Sequence, residues 1–188
     1  MKMSKSIMFL AITLLLFVQS CSAPGSSGQD KRAAIETMRE NVLADIYKQK
    51  PELRARVNSA PGYAVFSNVN VNLIFFSAGS GFGEAVDNGT GKKTYMKMGE
   101  AGLGIGAGVK DFRVLFIFKS KIAMNRFINT GWSVGAQADA AAKAGDKGGA
   151  VAAEAIADDI SVYQLTENGL ALQATIKGTK YWKDDYLN

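Results

Sequence analysis

The sequence predicts an α+β domain, mainly β, in which an antiparallel sheet carries an N-terminal amphipathic helix and a further helix packed on it. Three observations predict it. Ile35, Met38, Val42 and Ile46 recur at helical spacing near the start. From Tyr63 onward the chain breaks into short runs of branched and aromatic residues with turn signals between them. Within those runs glycine recurs at every second position, the period of a strand.

The elements follow in order. Arg32, Glu36, Arg39, Glu40 and Lys50 fall away from the apolar stripe of the first helix, which Asp30 or a neighbour should cap and Pro51 should end. Residues 51–57 form a second short helix, since proline suits a first turn, and Asn58-Ser59-Ala60-Pro61-Gly62 stops it. Strands are expected at 63–69 and 71–76. Residues 84–87 and 92–98 flank Asn88-Gly89-Thr90-Gly91 as a hairpin. The unbroken apolar run 113–118 reads as a strand buried on both faces. Ser120 caps a helix whose Met124, Phe127 and Ile128 share a face and which Gly131 ends. Residues 132–141 alternate as a half-buried strand, 145–149 form a loop, and 150–157 suit helix or strand equally. Strands 160–165 and 170–177 close a hairpin around Asn168-Gly169.

Ahead of this domain lies a three-part leader. Lys2 and Lys5 precede an apolar run over 7–18, and Val18-Gln19-Ser20 leads to Cys21, the one cysteine of the 188 residues. The run is short of the roughly 20 residues a membrane-spanning helix needs. The junction resembles the lipobox of bacterial lipoproteins. That resemblance implies cleavage before Cys21, a diacylglycerol thioether on its sulfur and acylation, palmitate included, of the new amino terminus. Residues 1–20 are then a signal peptide, 21–30 a flexible small-residue tether, and 31–188 the domain, with a helical entry over 31–58 and a mainly β part over 63–183. Ser22 is not the aspartate that in many Gram-negative lipoproteins favours inner-membrane retention, so the expected location is the outer membrane, with the domain facing the periplasm. Removing 1–20 leaves 168 residues, ample for one core, and lowers the formal charge from +5 to +3. Nucleic acid is not an expected partner.

Gly79, Gly81 and Gly83 form one glycine run; Gly102, Gly104, Gly106 and Gly108 form another. The second does not have the spacing of a dinucleotide-binding turn. Bare backbone on one face lets a sheet coil or another layer approach, and it can also leave a groove able to admit an acyl chain.

Residues 60–183 resemble the SYLF domain, a family with exported bacterial members and with eukaryotic members that bind lipids and associate with actin at membranes. The resemblance rests on Gly62-Tyr63-Ala64-Val65-Phe66-Ser67-Asn68-Val69, on Gly79 to Gly83 with Glu84, and on the 102–109 run before Asp111-Phe112-Arg113-Val114-Leu115-Phe116-Ile117-Phe118. Phe127, Gly135, Ala136 and the strand from Gly169-Leu170 complete it. Ser67 replaces the usual proline, Gly106 a frequent glutamine, and Tyr95-Met96-Lys97 an aromatic-proline pair. The resemblance implies a barrel-like sheet with flanking helices, a sandwich-like arrangement being the alternative. It also implies membrane or lipid binding, with helix 35–50 as the counterpart of the amphipathic helix on which lipid binding depends in eukaryotic members. An anionic phospholipid such as phosphatidylglycerol or cardiolipin is the expected ligand.

Histidine is absent, which removes the usual base near neutral pH and the commonest metal ligand. Asp158-Asp159 and Asp184-Asp185 are adjacent and on a strand would point to opposite faces. No catalytic residue, metal site or cofactor is expected. Candidate lipid contacts are the cations Lys31, Arg32, Arg39, Lys48, Lys50, Arg54 and Arg56 in the helical entry, Lys92, Lys93 and Lys97 at the hairpin, and Lys177, Lys180 and Lys183 beside Tyr181 and Trp182. Two rivals remain: an envelope lipoprotein that docks another protein, and a small outer-membrane β-barrel.

Overall fold

The computed structural model describes residues 23–73, 76–103, 108–134, 155–157, 159–166, 169–170 and 177–188. The signal segment, Cys21, Gly104, Gly106 and the stretches 135–154 and 171–176 lie outside them.

Helix α1 spans Gly28–Gln49 and α2 spans Glu52–Ser59. The cap of α1 is Ser27, whose side chain accepts from the Asp30 N–H at 3.1 Å while the Asp30 carboxylate accepts from the Ser27 N–H at 3.0 Å. This reciprocal box starts the helix three residues ahead of the expected boundary at 31. The tether expected over 21–30 is shortened further, because Ala23 is buried against Ile35, Tyr95 and Leu187.

The strands are β1 Gly62–Leu73, β2 Phe76–Asp87, β3 Lys93–Leu103, β4 Gly108–Phe118, β5 Trp132–Val134, β6 Ala155–Ala157, β7 Ile160–Thr166, β8 Gly169–Leu170 and β9 Lys177–Lys183, with α3 at Lys121–Thr130 between β4 and β5. They form one antiparallel sheet in the order β5-β9-β3-β2-β1-β4-β7-β6, with β8 beside β7. The sheet curls into a half-barrel, and among the described residues its edges do not meet.

One expectation is corrected here. The break expected at Asn70 does not occur, because Asn70 pairs with Gly79 on one side and Lys110 on the other, and a strand laddered on both edges runs through a polar position. Of the final hairpin, Leu165 pairs with Leu170 and Thr166 with Gly169; the rest of its expected second strand, 171–176, lies outside the described residues, and β9 pairs with β3 and β5. Of the stretch that suited helix or strand, 155–157 is strand.

Both faces of the sheet are covered. On the inner face Phe66, Phe116, Phe118, Met96, Met98 and Tyr181 pack against Met124 and Phe127 of α3. Phe116 meets Phe66, Phe127 and Tyr181 at ring separations of 5.8, 5.1 and 5.0 Å, in the edge-on and tilted arrangements that aromatic quadrupoles favour. Gly83 makes room for this cluster: a Cβ there would stand 2.5 Å from the Phe66 ring and 2.1 Å from the Val65 carbonyl oxygen. On the outer face Val65, Leu115, Ile117, Tyr163 and Leu165 receive Val42 and Ile46 of α1 and Leu53 and Val57 of α2. Residues 114–118 are therefore buried on both faces, as their composition predicts.

Candidate functional site

The alternation of β2 sends Gly83 and Ala85 inward and places Glu84 under α1, in register with Val65 on β1 and Tyr95 on β3. Glu84 is 0 % exposed. Arg39, one turn beyond the buried Ile35, reaches down so that its Nη1 lies 2.7 Å from Glu84 Oε1, with its side chain 11 % exposed. The contact is an ion pair without hydrogen-bond alignment, and among the described residues neither Glu84 oxygen accepts a hydrogen bond. Burial pushes the Glu84 carboxyl above the usual range, and the Arg39 charge works against that rise.

Beside this pair, Glu36 accepts from the Tyr95 hydroxyl at 2.9 Å and meets Lys93 Nζ at 2.9 Å. The hydrogen bonds from Lys93 and then Tyr95 hold Glu36 below the usual range. Burial, reinforced by Glu36, pushes Tyr95 up to about 12. Asp45 of α1 meets Arg113 of β4 at 2.8 Å, a third ion pair between that helix and the sheet. α1 covers the Glu84–Arg39 pair, whereas Glu36, Lys93, Asp45 and Arg113 along the same seam stay part-exposed, and all six fasten the helix to the sheet. Among the described residues no cluster of three or more acidic, cysteine or histidine side chains is placed to hold a metal ion.

The chain end completes this corner. The Asp184 N–H donates to the Tyr95 carbonyl at 3.0 Å, and Asn188 both donates to that carbonyl, at 2.8 Å, and accepts from the Tyr95 N–H, at 3.0 Å. Arg32 Nε donates to the Leu187 carbonyl at 2.9 Å, and the Lys31 ammonium lies 5.5 Å from the Tyr186 ring centroid.

The candidate cations thus separate into groups. Arg39, Lys93 and Lys97 hold carboxylates, Lys97 meeting Asp184 at 3.1 Å, and Arg32 holds the tail. Lys50 and Arg56 lie over the Tyr163 ring at 5.9 and 5.5 Å, and Arg56 also donates to the Tyr163 hydroxyl and to Ser161 Oγ. Arg54 is exposed and stacks 4.9 Å from the Tyr47 ring. Lys48 is 78 % exposed with Asp45 3.5 Å away, and Lys92, Lys180 and Lys183 are exposed. Lys177 opens β9; its side chain, like Cys21, lies outside the described ones.

Sequence reasoning missed the Glu84–Arg39 pair. The available signal was a carboxylate set among the glycine and apolar residues of 81–86, a setting that calls for a buried cation opposite. It also missed that Lys121, Ile122 and Arg126 of α3 are all exposed and that Lys121 holds Asp87.

These features define a helix-covered, mainly antiparallel α+β domain with one buried ion pair, Glu84–Arg39, and a cation-bearing exterior. No family model matches the chain. It is similar to "Beta cell expansion factor A" of Aeromonas veronii, with 35 % identity over 164 residues, which is 86 % of this chain and 60 % of that protein. The chain therefore spans less than two thirds of the length of the relative it matches.

Proposed function

We propose that this chain is an exported protein, anchored by lipid on Cys21 at the outer membrane with its domain in the periplasm, whose SYLF-like domain binds anionic phospholipid head groups without catalysing a reaction. The observation that carries this reading is the balance of solvent-facing charge: among the described residues the exposed cations Lys48, Arg54, Lys92, Lys119, Lys121, Arg126, Lys180 and Lys183 outnumber the exposed carboxylates Asp30, Glu40, Glu52, Asp159 and Asp185. Solvent-facing cations attract a domain to an anionic surface. The covered outer face of β1, β4 and β7 leaves no lipid-facing wall there, which speaks against a membrane barrel.

The test uses the Cys21→Ser chain and flotation with phosphatidylglycerol-containing or pure phosphatidylcholine vesicles. Binding should favour the anionic vesicles, fall with added salt and weaken several-fold in Lys48→Glu/Arg54→Glu. Equal flotation with both vesicle types, independent of salt, refutes head-group recognition. Crosslinking from Lys92 to a protein in the cell envelope, with no lipid captured, would establish the docking alternative.

A further inference from the structure

We propose that the carboxyl-terminal strand and tail, together with the first turn of α1, form the face this chain lays against the bilayer interface. The inference deepens the lipid-anchor reading and rests on it.

Three observations converge. The first is where the anchor must enter. Ala23 is buried against Leu187, Tyr95 and Ile35, so Cys21 lies only two residues from a fixed point on the domain, a span of at most about 7 Å of extended chain. A short leash of that length brings the Leu187 corner to the membrane and leaves the far side of the domain distant from it.

The second is what surrounds that corner. Among the described residues the large hydrophobic side chains left exposed are Ile122, Trp182 and Tyr186, and Trp182, 39 % exposed, and Tyr186, 67 % exposed, both belong to this segment. Tyr186 lies over the first turn of α1, where a Cβ on Gly28 would stand 3.9 Å from its ring and 3.9 Å from Leu187. Trp182 pairs in register with Lys97, two residues along β3 from Tyr95. Its ring lies over Gly99, where a Cβ would stand 3.1 Å away, so the indole is seated on bare backbone. Tryptophan and tyrosine are the side chains that settle at the head-group level of a bilayer.

The third is charge. Lys180 shares the face of Trp182 on β9 and is exposed, Lys183 is exposed at the end of that strand, and Lys31 sits over Tyr186. The carboxylates facing this surface are largely engaged: Asp184 with Lys97, and Asp30 with Ser26 and Ser27. Asp185 is exposed. Aromatic rings between lysines, beside a lipid-bearing terminus, match an anionic interface better than the recess a protein partner would fill.

The test exploits the two tryptophans, since Trp132 belongs to the inner core and Trp182 to the outer surface. The full-length lipidated protein is reconstituted into phosphatidylglycerol-containing vesicles with and without brominated acyl chains, and tryptophan emission is compared. In Trp132→Phe the remaining Trp182 should be quenched about two-fold, as expected for a ring at the interface, while in Trp182→Phe emission should be unchanged by bromine. Should Trp132→Phe not fold, quenching in the natural chain that is lost in Trp182→Phe makes the same case. Protein that floats with vesicles while Trp182 stays unquenched overturns this orientation and leaves the anchor intact. Protein that does not float at all overturns both.

Discussion

Replacing Arg39 with methionine should destabilise the fold by about 3 kcal/mol at neutral pH, and that cost should shrink on acidification. The substitution keeps the stem of the side chain and removes the cation 2.7 Å from a carboxylate that is 0 % exposed. Breaking a buried pair from one side costs about 3–5 kcal/mol, because the surviving charge is stranded. Here the stranded group can escape by taking a proton. For a carboxyl of ordinary pKa near 4.3, that escape caps the electrostatic cost at about 3.7 kcal/mol at pH 7 and about 1 kcal/mol at pH 5. The sign follows from the direction of the shift. Burial already raises Glu84, so the penalty for its charge is fully present above the folded pKa, declines as pH falls through it and vanishes below the unfolded value. Losing Arg39 raises the folded value further and deepens this dependence. Urea unfolding of the Cys21→Ser chain with and without Arg39→Met, at pH 7 and pH 5, measures it; at neutral pH the melting temperature should fall by about 6–12 °C. The double variant Arg39→Met/Glu84→Leu should recover most of the loss, since an apolar pair strands nothing. A loss below about 1 kcal/mol at pH 7, or the same loss at both pH values, would refute the assignment of Glu84 as a buried charge dependent on Arg39.

Two further outcomes follow from single contacts. Gly83→Ala should cost about 3 kcal/mol or more, because its Cβ would meet the Val65 carbonyl, which is backbone and cannot swing away, as well as the Phe66 ring; an unchanged melting curve would remove the close-approach explanation for this glycine. Ser27→Ala should cost about 1 kcal/mol and flatten the acid limb of the stability profile. The Ser27 hydroxyl is the chief cause of the lowered Asp30 pKa, and a lowered carboxyl contributes stability that is lost as pH falls through its folded value.

What could be read from the chain beforehand was local. The α1 stripe, the turn between β2 and β3, the Ser120 cap with Gly131 at φ 76° and the doubly buried 114–118 run each announce themselves within a dozen residues. What could not be read depends on partners far away in the chain. Asn70 looks like a break until its neighbours on β2 and β4 are known. Strand β9 pairs with β3, some eighty residues earlier, and nothing in its own pattern names that partner. The cations show the same limit for the candidate site. Arg39 and Lys48 both lie off the apolar stripe of α1, yet one is sealed against Glu84 and the other is open to solvent. The difference is set by which strand passes beneath each turn.

That difference bears on how the domain would meet a membrane. The resemblance assigns the contact to the amphipathic helix 35–50. In the structure the apolar stripe of that helix is spent on the sheet, with Ile35, Val42 and Ile46 buried, Arg39 locked to Glu84 and Asp45 to Arg113. Inserting α1 into lipid would first uncover Val65, Leu115, Ile117 and Tyr163, each costing about 1.5–3 kcal/mol when brought into water, and would break three ion pairs, Arg39–Glu84, Glu36–Lys93 and Asp45–Arg113. A preformed surface carries no such cost: Trp182, Tyr186, Lys180 and Lys183 are already outside. In the proposed orientation the helix would serve the membrane contact indirectly, by fixing Ala23 and the chain end to one corner, and the residues to touch lipid would be those that corner presents.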